Sequence, residues 1–466
     1  MSILRTKDLS KIGYTSDKAR SLVMNIIARF FKHHTKNQII ELLINIKNKP
    51  EEYVADEPVG KIAETFIDHI KECTFQTFNL LQQSGQLKIY GSKEIDPAAK
   101  KQMELAMSLP IVAQGALMPD AHVGYGLPIG GVIATENAVI PYAVGVDIGC
   151  RMALSIIDES DSYFKRYSHQ MKMALKEWTH FGMEGAPGVP ASHEVLDSSI
   201  FQETALLKRL HGKAWRQLGS SGTGNHFVEF GEITLYEDNA LGLAPKKYMA
   251  LLSHSGSRGL GANIAQHYTK IAMDSCKLPK AVERLAWLDL NTEAGQEYWM
   301  SMNLAGDYAK ACHDVIHQNL LKSLGLQALA KVENHHNFAW KEHLANGKEV
   351  IVHRKGATPA HHGELGIIPG SMTTAAYLVM GKGLPDALNS AAHGAGRAMS
   401  RQKAKANTTA SALKKVLSSA GVTLIGGSVE ENPNAYKDIE KVMQAQKDLV
   451  TVHGKFMPKI VRMNKD

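Results

Sequence analysis

The chain has 466 residues and a mass of 51.0 kDa, with 44% hydrophobic residues and a formal net charge of +7. That length and apolar share support a real core in one large domain with an appendage, or in two to three ordinary domains. Four scattered cysteines argue against a disulfide scaffold, and the absence of any apolar run of roughly 18 residues or a signal-like opening points to a soluble, cytoplasmic protein with no membrane span.

Residues 1–85 read as helical. NQIIELLINIKN places Ile39, Ile40, Leu42, Leu43 and Ile46 on a broad apolar face, and VGKIAETFIDHIKECTFQTFNLLQQ keeps the helical spacing until SG stops it. The first fifty residues hold ten Lys and Arg against three Asp and Glu. A helical cap on the core is the expected role of this extension, with an RNA-recognition or partner-binding arm as the alternative.

From residue 86 the texture changes to short glycine-punctuated strands, as in GLPIGGVIATENAVIPYAVGVDIGCRMALSII, with helical runs such as SYFKRYSHQMKMALKEW. The cluster Gly185–Pro190 suits a mobile surface loop. GIIPGSMTTAAY offers exposed backbone N–H groups around Gly370 and Ser371 at the expected start of a helix, TTAAYLVMGKGL, which could cradle a phosphate or simply be capped by Ser371. Residues 401–466 hold twelve basic against six acidic residues, so the middle of the chain keeps 31 basic and 37 acidic. Basic ends around an acidic centre suit a polyanion at the rim and metal ions within, or ordinary surface charge.

Five motifs set ligand-type side chains beside glycine or asparagine: GVDIGC with Asp147 and Cys150, GTGNHFVEF with Asn225, His226 and Glu229, LLSHSGSRG with His254, ENHHNFAW with His335, His336 and Asn337, and SAAHGAGRAMSR with His393. Each histidine alone reads as well as a hydrogen-bonded core residue. Together a carboxylate, a thiolate and several imidazoles suffice for one or two transition-metal ions, and ligand type alone favours zinc. In HGAGR the small neighbours let a nucleotide phosphate reach the His393 ring, where Arg397 could pair with it through two hydrogen bonds. Neutral histidine is a competent nucleophile, so a phosphoramidate is plausible there. Neither a Walker-type loop nor a lysine-adenylating motif is present.

In this order, MPDAHVGYGLPIGGV, GVDIGC, GTGNHFVEF, SHSGSRG, HHNFAW, VHRKGATPA, PGSM and HGAGR resemble the RtcB family of RNA ligases over roughly residues 86–460. The resemblance implies an α+β fold: a single large catalytic core of mixed and antiparallel sheets flanked by helices (86–466), after an N-terminal helical extension (1–85). It implies a GTP- and manganese-dependent ligase that joins an RNA 3′-phosphate or 2′,3′-cyclic phosphate to a 5′-hydroxyl, in tRNA splicing or RNA repair. Further partners and assembly stay open, including an accessory activating protein.

By the same resemblance His393 is the guanylylated residue. Asp147, Cys150, His226, His254 and His336 are the ligands of two manganese ions, with Cys150 as the bridge. GTP contacts fall on Asn225, Glu229, Asn337, Pro369, Gly370, Ser371, Met372, Gly394, Ala395, Gly396 and Tyr436, with Lys465 in the tail. Asp120 matches an acidic residue needed near the site. The chain departs from the family at Thr373, Ala376, Cys312, His313 and its ending VRMNKD, which suggests altered substrate choice. A metal-dependent phosphodiesterase that opens cyclic ends, or a non-catalytic RNA-binding relative, is the alternative reading.

Overall fold

The computed structural model describes residues 4–14, 17–54, 56–66, 75–82, 85–182 and 191–465. The expected mobile loop Gly185–Pro190 and Cys73 lie outside them. The chain divides into two compact units, Met1–Thr74 and Phe75–Asp466.

The first unit contains α1 (Thr6–Lys11), α2 (Asp17–Phe30), α3 (Lys36–Asn48) and a short α4 (Gly60–Ala63). Thr35 starts α3 with a capping box: its backbone N–H donates to Gln38 Oε1 at 2.9 Å, and Gln38 N–H returns to Thr35 Oγ1 at 3.4 Å. The apolar face read from the sequence supplies the core, since Ile39, Leu43 and Ile46 are buried with Leu9, Val23, Ile27 and Ile62. Tyr14 is fully buried among them, and its hydroxyl donates to the Leu43 carbonyl at 2.9 Å.

The boundary expected at residue 85 lies instead at 74. Gln76–Thr77 form a strand paired with Cys276–Lys277, and the Phe78 ring lies 4.5 Å from Trp287, so residues that share a helical spacing are claimed by partners two hundred positions on. Tertiary pairing overrides local pattern there.

Strands of the second unit run in chain order: β1 (Gln86–Ile89), β2 (Val112–His122), β3 (Ile129–Thr135), β4 (Arg151–Ile157), β5 (Phe227–Leu235) and β6 (Lys247–Ser255). Then come β7 (Ala328–His335), β8 (Asn337–His343), β9 (Glu349–Lys355), β10 (Leu365–Ile368), β11 (Ala376–Gly381), β12 (Thr423–Ile425) and β13 (Val450–Met463). An eight-stranded sheet has the order β7-β4-β6-β5-β13-β11-β10, with β12 parallel to β13 and the other pairs antiparallel; a second sheet runs β8-β9-β3-β2-β1. Mixed sheets with flanking helices are the α+β architecture that the sequence led us to expect.

Within TTAAYLVMGKGL, expected to begin a helix, Ala376–Gly381 form strand β11 instead. Its Tyr, Leu and Val favour a pleated surface, and it is clamped between β10 and β13.

Strand alternation builds buried faces on both sheets. On the large sheet Met152, Leu154, Ala250 and Leu252 face one cluster, while Met249, Leu251 and Phe230 face another with Ile316 and Leu320 of a long helix, α5 (Glu293–Leu324). On the second sheet Ala116, Met118, Val132 and Val352 cluster with Tyr377 and Val379 of the large one, so apolar packing between the two sheets fixes their relation. Among the described residues no helix is long and apolar enough to cross a membrane.

One buried ion pair holds the segment that carries His393. Arg354 on β9 is fully buried; it donates to both carboxylate oxygens of Glu342 (2.6 and 3.2 Å), to Ser390 Oγ (2.8 Å) and to the Leu388 carbonyl (2.8 Å). Ser390–Ala392 in turn pairs with Ala357–Pro359 just after β9. Replacing Arg354 leaves Glu342 with only the His361 ring, 3.5 Å away, as an ion-pair partner, which is expected to cost about 3 kcal/mol. Arg354→Met should therefore lower the thermal midpoint by several degrees, whereas Lys36→Met, which removes an exposed pair with Asp8, should barely move it.

Candidate metal and nucleotide site

Sheet register brings the separate motifs together. His254, the penultimate residue of β6, pairs with Met152 on β4 and Phe227 on β5, and His335, at the end of β7, pairs with Arg151. Cys150 directly precedes β4, His226 directly precedes β5 and His336 directly follows β7. Four neighbouring strands about 5 Å apart thus end on one line, and their ends carry the ligand-type residues. His336 is also where the chain leaves the large sheet for the second, tied by its N–H to the Cys150 carbonyl at 2.9 Å.

Asp147 comes from the turn before Cys150. The Ser257 N–H donates to its Oδ1 at 3.1 Å, an approach only Gly256 permits, because a side chain at 256 would meet that carboxylate.

Two ligand groups result: Cys150, His254 and His336, and Asp147, Cys150 and His226, sharing the sulfur. Cys150 Sγ lies 3.2 Å from His254 Nε2 and 3.4 Å from His226 Nε2; His254 Nε2 is 3.3 Å from His336 Nε2, and His226 Nε2 is 3.1 Å from Asp147 Oδ2. His254 donates its Nδ1–H to the Asn225 carbonyl at 3.0 Å, which leaves a lone pair on Nε2.

Burial pushes the His254 imidazole down to about 3 and that of His336 well below its ordinary range, so both rings are neutral. Burial, reinforced by Asp147, pushes the Cys150 thiol well up. Asp147 is pushed up by burial too, but its hydrogen bond to His226 leads a set of interactions that outweigh this and hold it low. Lone pairs converging on one dry point, with a thiol that ionises only beside positive charge, fit cations and repel one another without them.

His335 is not part of this set: its Nδ1 accepts from Arg151 at 2.8 Å and its ring stacks on Phe338 at 4.9 Å.

His393 follows the strand Ser390–Ala392, and its ring lies 5.0 Å from that of His336. Asp120, fully buried on β2, accepts from His393 Nδ1 at 2.6 Å and from its backbone N–H at 3.2 Å. The carboxylate fixes the ring's tautomer and leaves Nε2 free. Gly396 makes room behind it: at φ +71° its Cα sits against the Asp120 carbonyl, where any side chain would collide.

A cavity of about 1600 Å³ joins His393 to the ligand set. Asn225, Glu229, Asn337, Pro369, Gly370, Ser371 and Met372 line it, as do Gly394, Ala395, Gly396 and Tyr436. Burial pushes the Glu229 carboxyl well above its usual range. Some of these groups are already engaged: Asn337 donates to the Asp147 carbonyl and accepts from Gly356 N–H, and Ser371 N–H donates to Thr374 Oγ1 at 2.6 Å. Of the departures, Ala376 lines the cavity and Thr373 does not. Cys312 and His313 lie on α5 behind the β6 strand, where Ser253 Oγ is 2.6 Å from His313 Nδ1 and 2.7 Å from His317 Nε2.

Two residues stand differently from the sequence reading. Arg397 lines the cavity, but its guanidinium donates to Glu431 Oε2 (3.0 Å) and to the carbonyls of Glu430 and Met399. Its fork is spent on buried Glu431, which also takes the Tyr436 hydroxyl, and it covers the Tyr436 ring at 5.2 Å. Lys465 is exposed and outside the cavity lining.

The sequence reading did not single out Lys355 or Arg401, both in the lining. Lys355 donates to the carbonyls of Tyr142 and Tyr125, and burial pushes its amine down to about 7. The only signal was its place in VHRKGATPA.

The profile of the RtcB family, described as tRNA-splicing ligase RtcB, matches residues 102–464. The chain belongs to the RtcB family. Among its relatives, RNA-splicing ligase RtcB of Escherichia coli K12 is 32% identical over 394 residues, covering 77% of this chain and 92% of that protein. The tRNA-splicing ligase RtcB of Nanoarchaeum equitans is 31% identical over 441 residues, covering 78% and 91%. RNA-splicing ligase RtcB1 of E. coli ATCC 25922 is 32% identical with the same coverage as the K12 protein. The matched region of this RtcB-family chain contains every motif that meets at the cavity.

The shared sulfur yields a test. Calorimetric titration with manganese should show more than one ion per chain; Cys150→Ala should weaken all binding by about 10-fold or more, while His226→Ala and His336→Ala should each weaken a different step.

Proposed function

We propose that this RtcB-family protein is a GTP-dependent RNA ligase that joins a 3′-phosphate, or a 2′,3′-cyclic phosphate, to a 5′-hydroxyl through a guanylylated His393, with manganese held by Asp147, Cys150, His226, His254 and His336. The family, and relatives named as RNA-splicing and tRNA-splicing ligases, support the substrate class. The observation that carries the reading is the 2.6 Å bond from His393 Nδ1 to buried Asp120, which occupies that ring nitrogen and keeps Nε2 for chemistry in the cavity that His393 lines.

Bound cations would neutralise the triphosphate and lower the pKa of a coordinated water, the group that opens a cyclic end. The chain's own residues do the rest. His393 Nε2 supplies an electron pair to the α-phosphorus of GTP; an N–P bond forms, the bond to pyrophosphate breaks, and Asp120 stabilises the positive charge that appears on the ring. An oxygen of the RNA 3′-phosphate then attacks the same phosphorus, the N–P bond breaks, and His393 returns to its starting state. The 3′-phosphate now carries GMP as a leaving group. Attack by the 5′-hydroxyl on that 3′-phosphate forms the phosphodiester and expels GMP, the hydroxyl proton passing to solvent.

Buried, neutral His254 and His336 are electron-pair donors rather than competing cations. In this reading Tyr436, held by Glu431 and backed by Arg397, would contact the base, with Arg397 as its brace.

Incubation with manganese and GTP labelled at the α-phosphate should leave label on the protein that survives alkali and is lost in acid. His393→Ala should abolish it, and Asp120→Asn should slow its appearance by about a hundredfold or more. Cyclic-phosphate opening without protein-bound label under any metal would favour the phosphodiesterase instead.

A further inference from the structure

The profile match begins at residue 102, so it assigns nothing to the first unit. From Lys18 to Ile40 that unit contains no acidic residue, while Lys18, Arg20, Arg29, Lys32 and Lys36, with His33 and His34, fall in the same stretch. The turn between α2 and α3 brings part of this charge to the surface: residues 28–38 are all exposed except half-buried Phe31.

The two adjacent phenylalanines have different fates. Phe31 packs on the unit's core and touches the His34 ring at 5.2 Å. Phe30 is 53% exposed, and the Arg29 guanidinium lies over its ring at 5.2 Å. An exposed aromatic face has a cost in water that a stacked base removes. Lys36 is paired with Asp8 at 2.7 Å and Arg20 donates to Ser10, while Arg29 lies over the Phe30 ring and exposed Lys32 follows it two positions on.

A half-exposed ring with a guanidinium over it and a further cation nearby in the chain suits the way sequence-tolerant single-strand binders hold a base and its phosphates. An anionic membrane is a poorer fit, because the apolar residues of α2, Val23, Ile26 and Ile27, are buried in the unit's own core and leave no apolar face to insert.

We infer that the α2–α3 turn is a binding surface for single-stranded RNA, with Phe30 as the stacking platform and Arg29 and Lys32 as phosphate contacts. This rests on the ligase reading, since the strand it holds is taken to be the substrate of the same chain.

The test uses the full chain without GTP or manganese, so that no chemistry intervenes, and fluorescence anisotropy of a labelled, unstructured RNA of about 20 nucleotides ending in a 3′-phosphate. Arg29→Ala with Lys32→Ala should weaken binding by about tenfold near 0.1 M salt and make log Kd less steep in log salt by about 1.4, the loss of two single-strand phosphate contacts. Phe30→Ala should weaken it by about fivefold or more with the salt slope unchanged. Both variants should still take label from GTP at His393.

Affinities and slopes of both variants within twofold of the parent overturn the proposal, as does loss in the variants of binding to phosphatidylserine vesicles without change in RNA binding. If His393 takes no label while the RNA effects appear, the ligase reading fails and the surface stands. If label forms and RNA binding is indifferent to the turn, the surface alone fails.

Discussion

Everything in the catalytic unit turns on the Cys150 sulfur, a buried thiol at the point where four strand ends meet. It sits within 3.4 Å of two imidazole nitrogens and belongs to both ligand groups. Such a point is electrostatically unfavourable when empty of positive charge, because burial opposes the thiolate and the facing lone pairs repel. The hydrophobic faces of the two sheets hold it in place regardless. Stability created by apolar packing is thus used to maintain a cluster that folding alone would not choose.

The second constraint is the placement of His393 beside that cluster. Its strand is bound to the second sheet through Arg354 and Glu342, and its ring is set by Asp120, so an imidazole on a glycine-rich segment has a defined direction. The small residues of HGAGR give access on one side, and Gly396 lets Asp120 close on the other. Access and orientation, which conflict for a flexible loop, are separated here between side chains and backbone.

Much of this was legible in the sequence. Asp147, Cys150, His226, His254 and His336 could be picked out because each sits in a short motif with few alternatives, and the structure gathers all five. The apolar stripe of α3 was equally readable, since helical spacing and burial agree at Ile39, Leu43 and Ile46. What failed depended on partners far along the chain. Residues 376–381 became a strand because β10 and β13 flank them, and residues 76–77 because Cys276 and Lys277 do. At Arg397 a motif cannot show that the guanidinium already serves buried Glu431, thirty-four positions on. Local pattern reports propensity and ligand type; it does not report which charge is already neutralised.

The most direct test of the central claim is the anomalous scattering of crystals of the protein grown with manganese. The account predicts two peaks, each within coordinating distance of Cys150 Sγ, one facing Asp147 and His226 and the other His254 and His336. Ordered manganese that avoids the sulfur, or a fully occupied cavity with no peak between these residues, would contradict it.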